Sequence, residues 1–167
     1  MSKPEAQERF VALLEEHKRI LYKVASSYCR NPADRQDLTQ EMAVALWKSF
    51  GRYDDGHRFS TWMYRIALNV AISFHRSEVR RTRHALPSGD SVLELAPAVE
   101  PAEPDEGLLV LQSLMRQLDE LDRALLILYL DENSYETIAG ILGISETNVG
   151  TKIGRIKQKL RALARNV

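Results

Sequence analysis

The chain has 167 residues, of which 44% are hydrophobic and 28% are charged, a composition typical of a globular protein rather than a disordered one. No apolar stretch approaches the ~20 residues that span a bilayer, and the polar start lacks the apolar segment of a signal peptide. We therefore expect no membrane insertion and a cytoplasmic location. The single cysteine, Cys29, excludes an internal disulfide and a multi-cysteine zinc site.

The formal net charge is zero, but the charges are unevenly distributed along the chain. Residues 1–86 include 15 basic and 10 acidic side chains. Residues 87–108 include no basic and six acidic ones, and residues 109–167 include eight basic and seven acidic ones. Within the last part, residues 150–167 contain six basic residues and no acidic one. A localised basic stretch indicates a nucleic-acid-binding surface that the net charge alone hides.

Apolar residues recur at helical spacing on both sides of residues 87–107, and no segment shows sustained alternation of the β type. Residues 87–107 themselves contain four prolines and six acidic residues, which is typical of a linker. We predict an all-α protein of two small domains, residues 1–86 and 108–167, joined by this acidic, proline-rich linker. The sequence leaves open whether the linker does more than tether them.

The first domain is predicted to contain three helices. The first covers residues 5–29 and stops before Asn31-Pro32, and the second covers residues 34–50. After a glycine-containing loop, Ser60 or Thr61 is expected to cap a third helix that continues to about Arg81.

The second helix has an acidic and polar outer face. The side chains spaced three or four apart along it are Asp37, Gln40, Glu41, Val44 and Lys48. A face of this kind is usually only solvated, but Trp47 lies near it, and tryptophan beside charge is common at protein interfaces. Both interpretations remain open on spacing alone.

The third helix separates into an apolar face and a cationic face. Its expected buried stripe is Met63, Ile66, Ala67, Val70, Ala71 and Phe74. The opposite face carries Arg65, Asn69, Ile72, Arg76 and Arg80, with Phe59, Trp62 and Tyr64 at one end. Aromatic rings beside arginines suit single-stranded nucleic acid, because rings stack on bases while arginine neutralises phosphates. The alternative is that Phe59 and Trp62 belong to the core and the arginines are merely solvated.

The second domain begins with two apolar helices, at residues 108–118 and 121–130, and then shows a helix-turn-helix. Asn133 or Ser134 is expected to cap a short helix, Gly143 to allow the tight turn, and Ser145 to cap a longer helix. A recognition helix needs short polar groups and cations near its N-terminal end, because that end enters the major groove. The candidate DNA-binding residues of this helix are Thr147, Asn148, Thr151, Lys152, Arg155 and Lys159. A helical hairpin used only for protein contacts is the alternative.

Across both domains the sequence resembles the extracytoplasmic-function sigma factors of bacterial RNA polymerase. DLTQEMAVALWKSF (residues 37–50) resembles the segment with which that family binds the clamp coiled coil of the polymerase β′ subunit. FSTWMYRIALNVAISFHRSEVRR (residues 59–81) resembles its promoter-melting and −10-reading segments. Residues 118–163 resemble its −35-reading domain. Each segment is moderately specific, and their shared order makes the resemblance strong.

The resemblance implies an alternative sigma factor that directs promoter-specific transcription initiation. It assigns Asp37, Gln40, Glu41 and Trp47 to the interface with core polymerase. Asn69 matches an asparagine used in −10 recognition, and the loop at residues 50–57 matches one that captures a flipped-out base. Together with the cationic face, the candidate −10 residues are Phe59, Arg65, Asn69, Arg76 and Arg80.

The implied partners are core RNA polymerase, through its β′ clamp and β flap, promoter DNA, and an anti-sigma factor or other regulatory protein. We expect no cofactor, no metal and no enzymatic activity, because the four histidines lack metal-ligand spacing and no nucleophile motif or P-loop occurs. A conventional helix-turn-helix regulator that binds duplex DNA as a dimer is the main alternative, although it leaves the first domain without a role.

The recognition helix departs from the family pattern. Many members read Gly-Thr-Val-Lys-Ser-Arg where residues 147–152 read Thr-Asn-Val-Gly-Thr-Lys. Gly150 removes an expected cation and costs helix stability by about 1 kcal/mol relative to alanine. The −35 sequence read by other members therefore does not transfer to this chain.

Overall fold

The structure, a computed structural model, describes residues 1–84 and 105–166. These two stretches contain seven α-helices, one short 3-10 helix at Phe50–Arg52 and no strand, so the prediction of an all-α fold is confirmed. The α-helices are α1 Lys3–Tyr28, α2 Pro32–Ser49, α3 Phe59–His84, α4 Glu106–Met115, α5 Glu120–Leu130, α6 Tyr135–Leu142 and α7 Glu146–Ala164.

Helices α1, α2 and α3 pack on one another and form the first bundle. Val24 of α1, Leu38 and Met42 of α2 and Met63 of α3 have no exposed surface and form the centre of this bundle. Asn31 caps α2, where its side chain accepts a hydrogen bond from the Asp34 amide at 2.7 Å. The break that Asn31-Pro32 predicted therefore separates α1 from α2.

The start of α3 differs from the prediction. The helix begins at Phe59, so Ser60 and Thr61 lie inside its first turn and do not cap it. The Trp62 amide instead donates to the Arg58 carbonyl at 3.2 Å, which places the start of the helix one residue before the two hydroxyl side chains. A serine or threonine inside the first turn is compatible with a helix, so residue type alone cannot fix the start.

Helices α4 to α7 form the second bundle, in which α7 contacts α4, α5 and α6. Its centre is built from Leu125 and Leu128 of α5, Ile138 of α6, and Val149 and Ile153 of α7, each at most 1% exposed. This arrangement leaves one side of α7 free of protein contacts within the bundle. On its other side Val149, Ile153 and Ile156 are buried.

The two bundles also pack against each other, because α1 and α3 contact α5, α3 contacts α6, and α1 contacts α4. Buried residues of both bundles belong to one continuous hydrophobic core. The predicted linker at residues 87–107 lies outside the described residues except for its last three, of which Glu106 and Gly107 already belong to α4. Within the described stretches, no helix is long and apolar enough to cross a bilayer.

Candidate functional site

A surface groove runs between α2 and α3. The structure brings Asp37, Gln40 and Glu41 together on its α2 side, all of them exposed. The α3 side consists of Val70, Phe74, Glu78 and Arg81. Val44, which is 52% exposed, lies on the α2 side with the acidic residues. A groove with apolar side chains inside and charges at its rim can accept a helical segment of another protein.

Trp47 does not line this groove. Its ring packs against Phe10, with ring centroids 5.2 Å apart, and stacks on Phe50 at 6.3 Å. The side chain still keeps 36% of its surface exposed. Trp47 therefore lies beside the acidic residues but belongs to a different surface.

An aromatic cluster supports the loop between α2 and α3. Its members are Phe10, Trp47, Phe50, Tyr53, Phe59 and Trp62, with neighbouring ring centroids 5.1 to 6.3 Å apart. Phe59, a predicted −10 contact, is only 5% exposed, whereas Trp62 is half-buried. The placement of Phe59 favours the core role that the sequence left open for it.

The loop itself is held by local hydrogen bonds and by α1. The Tyr53 hydroxyl donates to the His57 carbonyl at 2.9 Å, and the Gly56 amide donates to the Asp54 carboxylate at 2.9 Å. Arg9 of α1 forms an ion pair with Asp55 and places its guanidinium over the rings of Phe50 and Tyr53. These contacts give the loop a defined shape before any ligand binds.

The cationic face of α3 is divided between solvent and the second bundle. Arg65, Asn69, Arg76 and Arg80 are all exposed, as predicted. Arg65 nevertheless donates to the Gly140 carbonyl of α6 at 2.6 Å, and Arg76 donates to the Glu120 carboxylate of α5 at 2.9 Å. Asn69 lies between these two arginines along the helix and makes no side-chain hydrogen bond with any described residue.

Tyr64 was expected at the aromatic end of a nucleic-acid-binding face, but it is 1% exposed. Its hydroxyl donates to Asp131 of the second bundle at 2.7 Å, and Lys23 of α1 pairs with the same carboxylate at 2.8 Å. Partial burial works against the charged form of Asp131, but these two hydrogen bonds outweigh it and lower its pKa. Burial raises the pKa of Tyr64 well above its ordinary range.

Arg123 is a buried cation between the bundles that no sequence pattern identified. It is 6% exposed, and its guanidinium donates to the Leu118, Arg116 and Ser27 carbonyls at 2.9, 2.8 and 3.2 Å. Ser27 lies in the last turn of α1, where unpaired carbonyls carry partial negative charge that favours a cation. Arg123 therefore ties α5 to the end of α1.

The helix-turn-helix is formed by α6 and α7. Ser134 and Ser145 cap the two helices by accepting hydrogen bonds from the Thr137 and Asn148 amides at 3.1 Å each. Gly143 ends α6 with a left-handed φ of 70°, which favours glycine because it has no Cβ. The capping residues and the turn glycine expected from the sequence therefore have these roles.

The predicted DNA-binding side chains of α7 do not all face the same way. Thr147, Asn148, Thr151 and Arg155 are exposed, and Lys152 is half-buried. Lys159 is exposed. Burial raises the pKa of Asp122 on α5, while the charges of Lys152 and Lys159 act in the opposite direction. Lys157, outside the predicted set, lies 4.5 Å above the Tyr129 ring.

Comparison with protein families finds two matches that together follow the order of the bundles. The sigma-70 region 2 family matches residues 13–81, and the sigma-70 region 4 family matches residues 108–160.

Individual sigma factors are similar over most of the chain. The extracytoplasmic-function sigma factor SigE of Mycolicibacterium smegmatis is 32% identical, and the matched stretch covers 89% of this chain and 59% of SigE. The sigma factor CnrH of Cupriavidus metallidurans is 30% identical over 94% of this chain and 87% of its own length.

Solved structures show the same fold. CnrH in complex with the cytosolic domain of CnrY superposes with a TM-score of 0.68 at 24% identity, covering 96% of this chain and 90% of that one. The sigma factor RpoE in complex with the anti-sigma factor NepR from Bartonella quintana gives a TM-score of 0.70 at 21% identity, covering 95% of this chain and 96% of that one.

Proposed function

Because this chain belongs to the extracytoplasmic-function sigma factors of the sigma-70 family, we propose that it binds core RNA polymerase and directs promoter-specific transcription initiation. The observation that carries this function is the presence of regions 2 and 4 in that order on one chain. Sigma factors are not enzymes, so the polymerase carries out the chemistry and this protein supplies promoter recognition.

The first bundle, within residues 1–86, is proposed to hold core polymerase through the α2–α3 groove. Asp37, Gln40 and Glu41 form an exposed acidic and polar rim there, with apolar side chains of both helices beside them. Trp47 is proposed to contact polymerase at the edge of the aromatic cluster, through the part of its ring that remains exposed. The β′ clamp is the proposed partner of this surface and the β flap that of the second bundle.

The same bundle is proposed to recognise and melt the −10 element through α3 and the preceding loop. Asn69 would read a base, while Arg65, Arg76 and Arg80 would neutralise phosphates of the opened strand. The loop would hold a flipped-out base, whose unstacking costs a few kcal/mol that contacts in the loop must offset. Phe59 would support the loop from inside the aromatic cluster rather than stack on DNA.

The second bundle, within residues 108–167, is proposed to bind the −35 element with α7. Thr147, Asn148 and Thr151 lie in the first two turns of the helix, the part of a recognition helix that reaches base edges. Arg155 is exposed one turn further on, where it would contact phosphate. Lys152 and Lys159 would add positive charge beside α5.

An anti-sigma factor or another regulatory protein is proposed to control this sigma factor in the cytoplasm, where it would meet polymerase. The similar sigma factor RpoE was solved with the anti-sigma factor NepR, and CnrH was solved with the cytosolic domain of CnrY. The α2–α3 groove is the proposed target of such a protein, because occupying it would block the proposed contact with polymerase.

Run-off transcription tests the proposal. Purified protein is mixed with core polymerase and a library of genomic promoter fragments, and the expected result is transcription from a discrete set of start sites that core alone does not use. A triple variant with Asp37, Gln40 and Glu41 changed to Ala should lose this transcription together with binding to core. Symmetric binding to duplex DNA as a dimer, without any complex with core, would instead identify a conventional regulator.

A further inference from the structure

The interface between the bundles carries complementary polar contacts beside the shared hydrophobic core. Lys23 and Tyr64 of the first bundle meet Asp131 of the second, and Arg76 meets Glu120. The Tyr28 hydroxyl donates to the Glu120 carbonyl at 2.5 Å. Donors thus come mainly from α1 and α3, whereas acceptors come mainly from α5 and the residue that follows it.

The contact of Arg65 fits the same pattern. Its guanidinium reaches the Gly140 carbonyl, which lies in the last turn of α6. The last carbonyls of a helix have no partner within the helix and carry partial negative charge. The second bundle therefore offers the cationic face of α3 the Glu120 carboxylate and a helix end, which resemble in charge the phosphates that arginines bind.

Two of the arginines in this interface are also the proposed −10 phosphate contacts. Arg65 and Arg76 lie on either side of Asn69 along α3, and both donate to the second bundle. A phosphate that took the donors now used by Gly140 and Glu120 would displace the second bundle from these two arginines. We infer that the second bundle is an internal ligand of α3 that holds the free protein closed and competes with −10 DNA.

The competition part of this inference rests on the proposed role of Arg65 and Arg76, whereas closure does not. Closure needs only weak contacts, because residues 85–104 join the bundles covalently. A tether of this length sets an effective concentration on the order of millimolar. Exposed ion pairs that would not hold two separate proteins together can then keep one chain closed.

A charge swap at Lys23 and Asp131 tests closure in the full chain by small-angle X-ray scattering. The wild type should have a radius of gyration of about 15 Å, the value for one compact body of this length. Asp131→Lys removes the acceptor of Tyr64 and faces Lys23 with a like charge, so the ratio of closed to open molecules should fall on the order of ten-fold. The radius should then rise toward roughly 20 Å.

Adding Lys23→Glu to Asp131→Lys restores the opposite charges and should restore the compact radius. The matched control is Glu132→Lys, an equal charge change at the next residue, whose carboxylate pairs with no described residue. It should leave the radius unchanged. Lys23→Glu alone should also open the protein, which covers the case that Asp131→Lys fails to fold. A wild-type radius near that of separated bundles, or an Asp131→Lys variant as compact as wild type, would overturn closure.

Competition is measured by fluorescence anisotropy with a labelled 12-nucleotide single-stranded DNA. Asp131→Lys should bind this DNA about ten-fold more tightly than Glu132→Lys, which adds the same charge without opening the protein. The charge-swapped double variant should bind like wild type. Equal affinity of the two lysine variants would refute competition while leaving closure standing. Absence of binding by every variant would refute both competition and the proposed −10 role.

Discussion

Asn69 is exposed on α3 between Arg65 and Arg76 and makes no side-chain hydrogen bond with another described residue. Its amide can therefore address a DNA base without first breaking a contact within the protein. We predict that Asn69→Ala lowers discrimination between −10 sequences, because a lost base contact costs about 1–3 kcal/mol, or roughly 5- to 150-fold. Transcription from promoters altered at single −10 positions measures this effect. Equal loss of binding to core polymerase would contradict the assigned role.

Arg155 and Lys157 carry the same charge on α7 but face different surroundings. Arg155 is exposed, whereas the Lys157 ammonium lies 4.5 Å above the Tyr129 ring. Arg155→Ala should weaken binding to −35 DNA and reduce the slope of log affinity against log salt by about 1, as the loss of one phosphate contact does. Lys157→Ala is the matched control and should leave this slope close to wild type. The opposite ranking would show that another side of α7 faces DNA.

His75 lies in the interface between the bundles, where it faces Arg123, Glu120 and the Tyr28 ring. Burial and the Arg123 charge lower its pKa below the ordinary 6.5, with Glu120 acting in the opposite direction. The unfolded chain then takes up a proton at a higher pH than the folded protein does. The contribution of neutral His75 to the stability of the folded protein is therefore fully present above pH 6.5. It is lost as the pH falls from there through the lowered pKa.

We predict that the free energy of unfolding decreases between pH 7.5 and 5.5 and that His75→Gln reduces this decrease. Urea unfolding followed at several pH values measures it. The pKa values of Glu120 and Asp131 are lowered from 4.5 and 3.8, so their contribution is lost only at more acidic pH. His57→Gln, at an exposed loop position, is the control variant. A His75→Gln profile identical to wild type would contradict this account.

Tyr64 shows what helix periodicity cannot predict for a single residue. It lies next to the apolar stripe of α3 and was grouped with the rings of a nucleic-acid surface, yet it is buried against Asp131, 67 residues away. Helical spacing shows which side chains share a face but does not show that a second bundle covers that face. By contrast, Met63, Ala67 and Ala71 were predicted as buried and have no exposed surface.

At the scale of single elements, the sequence predicted the helix-turn-helix best. Ser145 and Gly143 act through local chemistry, a side-chain cap and a left-handed turn, that depends on neighbouring residues only. The start of α3 was predicted less well. Nothing local distinguishes a serine or threonine that caps a helix from one that lies inside its first turn, as Ser60 and Thr61 do. The loop that precedes Phe59 is also held by Arg9 of α1, which is distant in the sequence.

Glycines of the helix-turn-helix should respond oppositely to alanine. A Cβ at Gly150 would lie 3.5 Å from the Tyr135 ring, an ordinary contact, so Gly150→Ala should stabilise the protein by about 0.5–1 kcal/mol. Gly143→Ala should destabilise it by about 1–2 kcal/mol, because its φ of 70° is unfavourable for a residue with a Cβ. Urea unfolding followed by far-ultraviolet ellipticity measures both. A loss of stability in Gly150→Ala would show that Tyr135 cannot accommodate the methyl group.

At the scale of the whole molecule, two helical regions were predictable, but their packing was not. The contacts that join the bundles link residues 44 to 108 positions apart, such as Arg76 with Glu120 and Lys23 with Asp131. Each of these residues is an ordinary surface charge when its own helix is considered alone. Only the folded structure places donors of one bundle opposite acceptors of the other, and this arrangement brings the proposed −10 arginines into contact with the second bundle.

Such an interface should make the two bundles unfold together. Both tryptophans, Trp47 and Trp62, lie in the first bundle, so tryptophan fluorescence reports on that bundle alone, whereas far-ultraviolet ellipticity reports on all helices. In the wild type the two urea transitions should coincide, as expected for a single cooperative unit. Asp131→Lys should separate them, because each bundle then unfolds with its own stability, while Glu132→Lys should keep them coincident. Separate transitions in the wild type would mean that the polar contacts between the bundles are too weak to couple their unfolding.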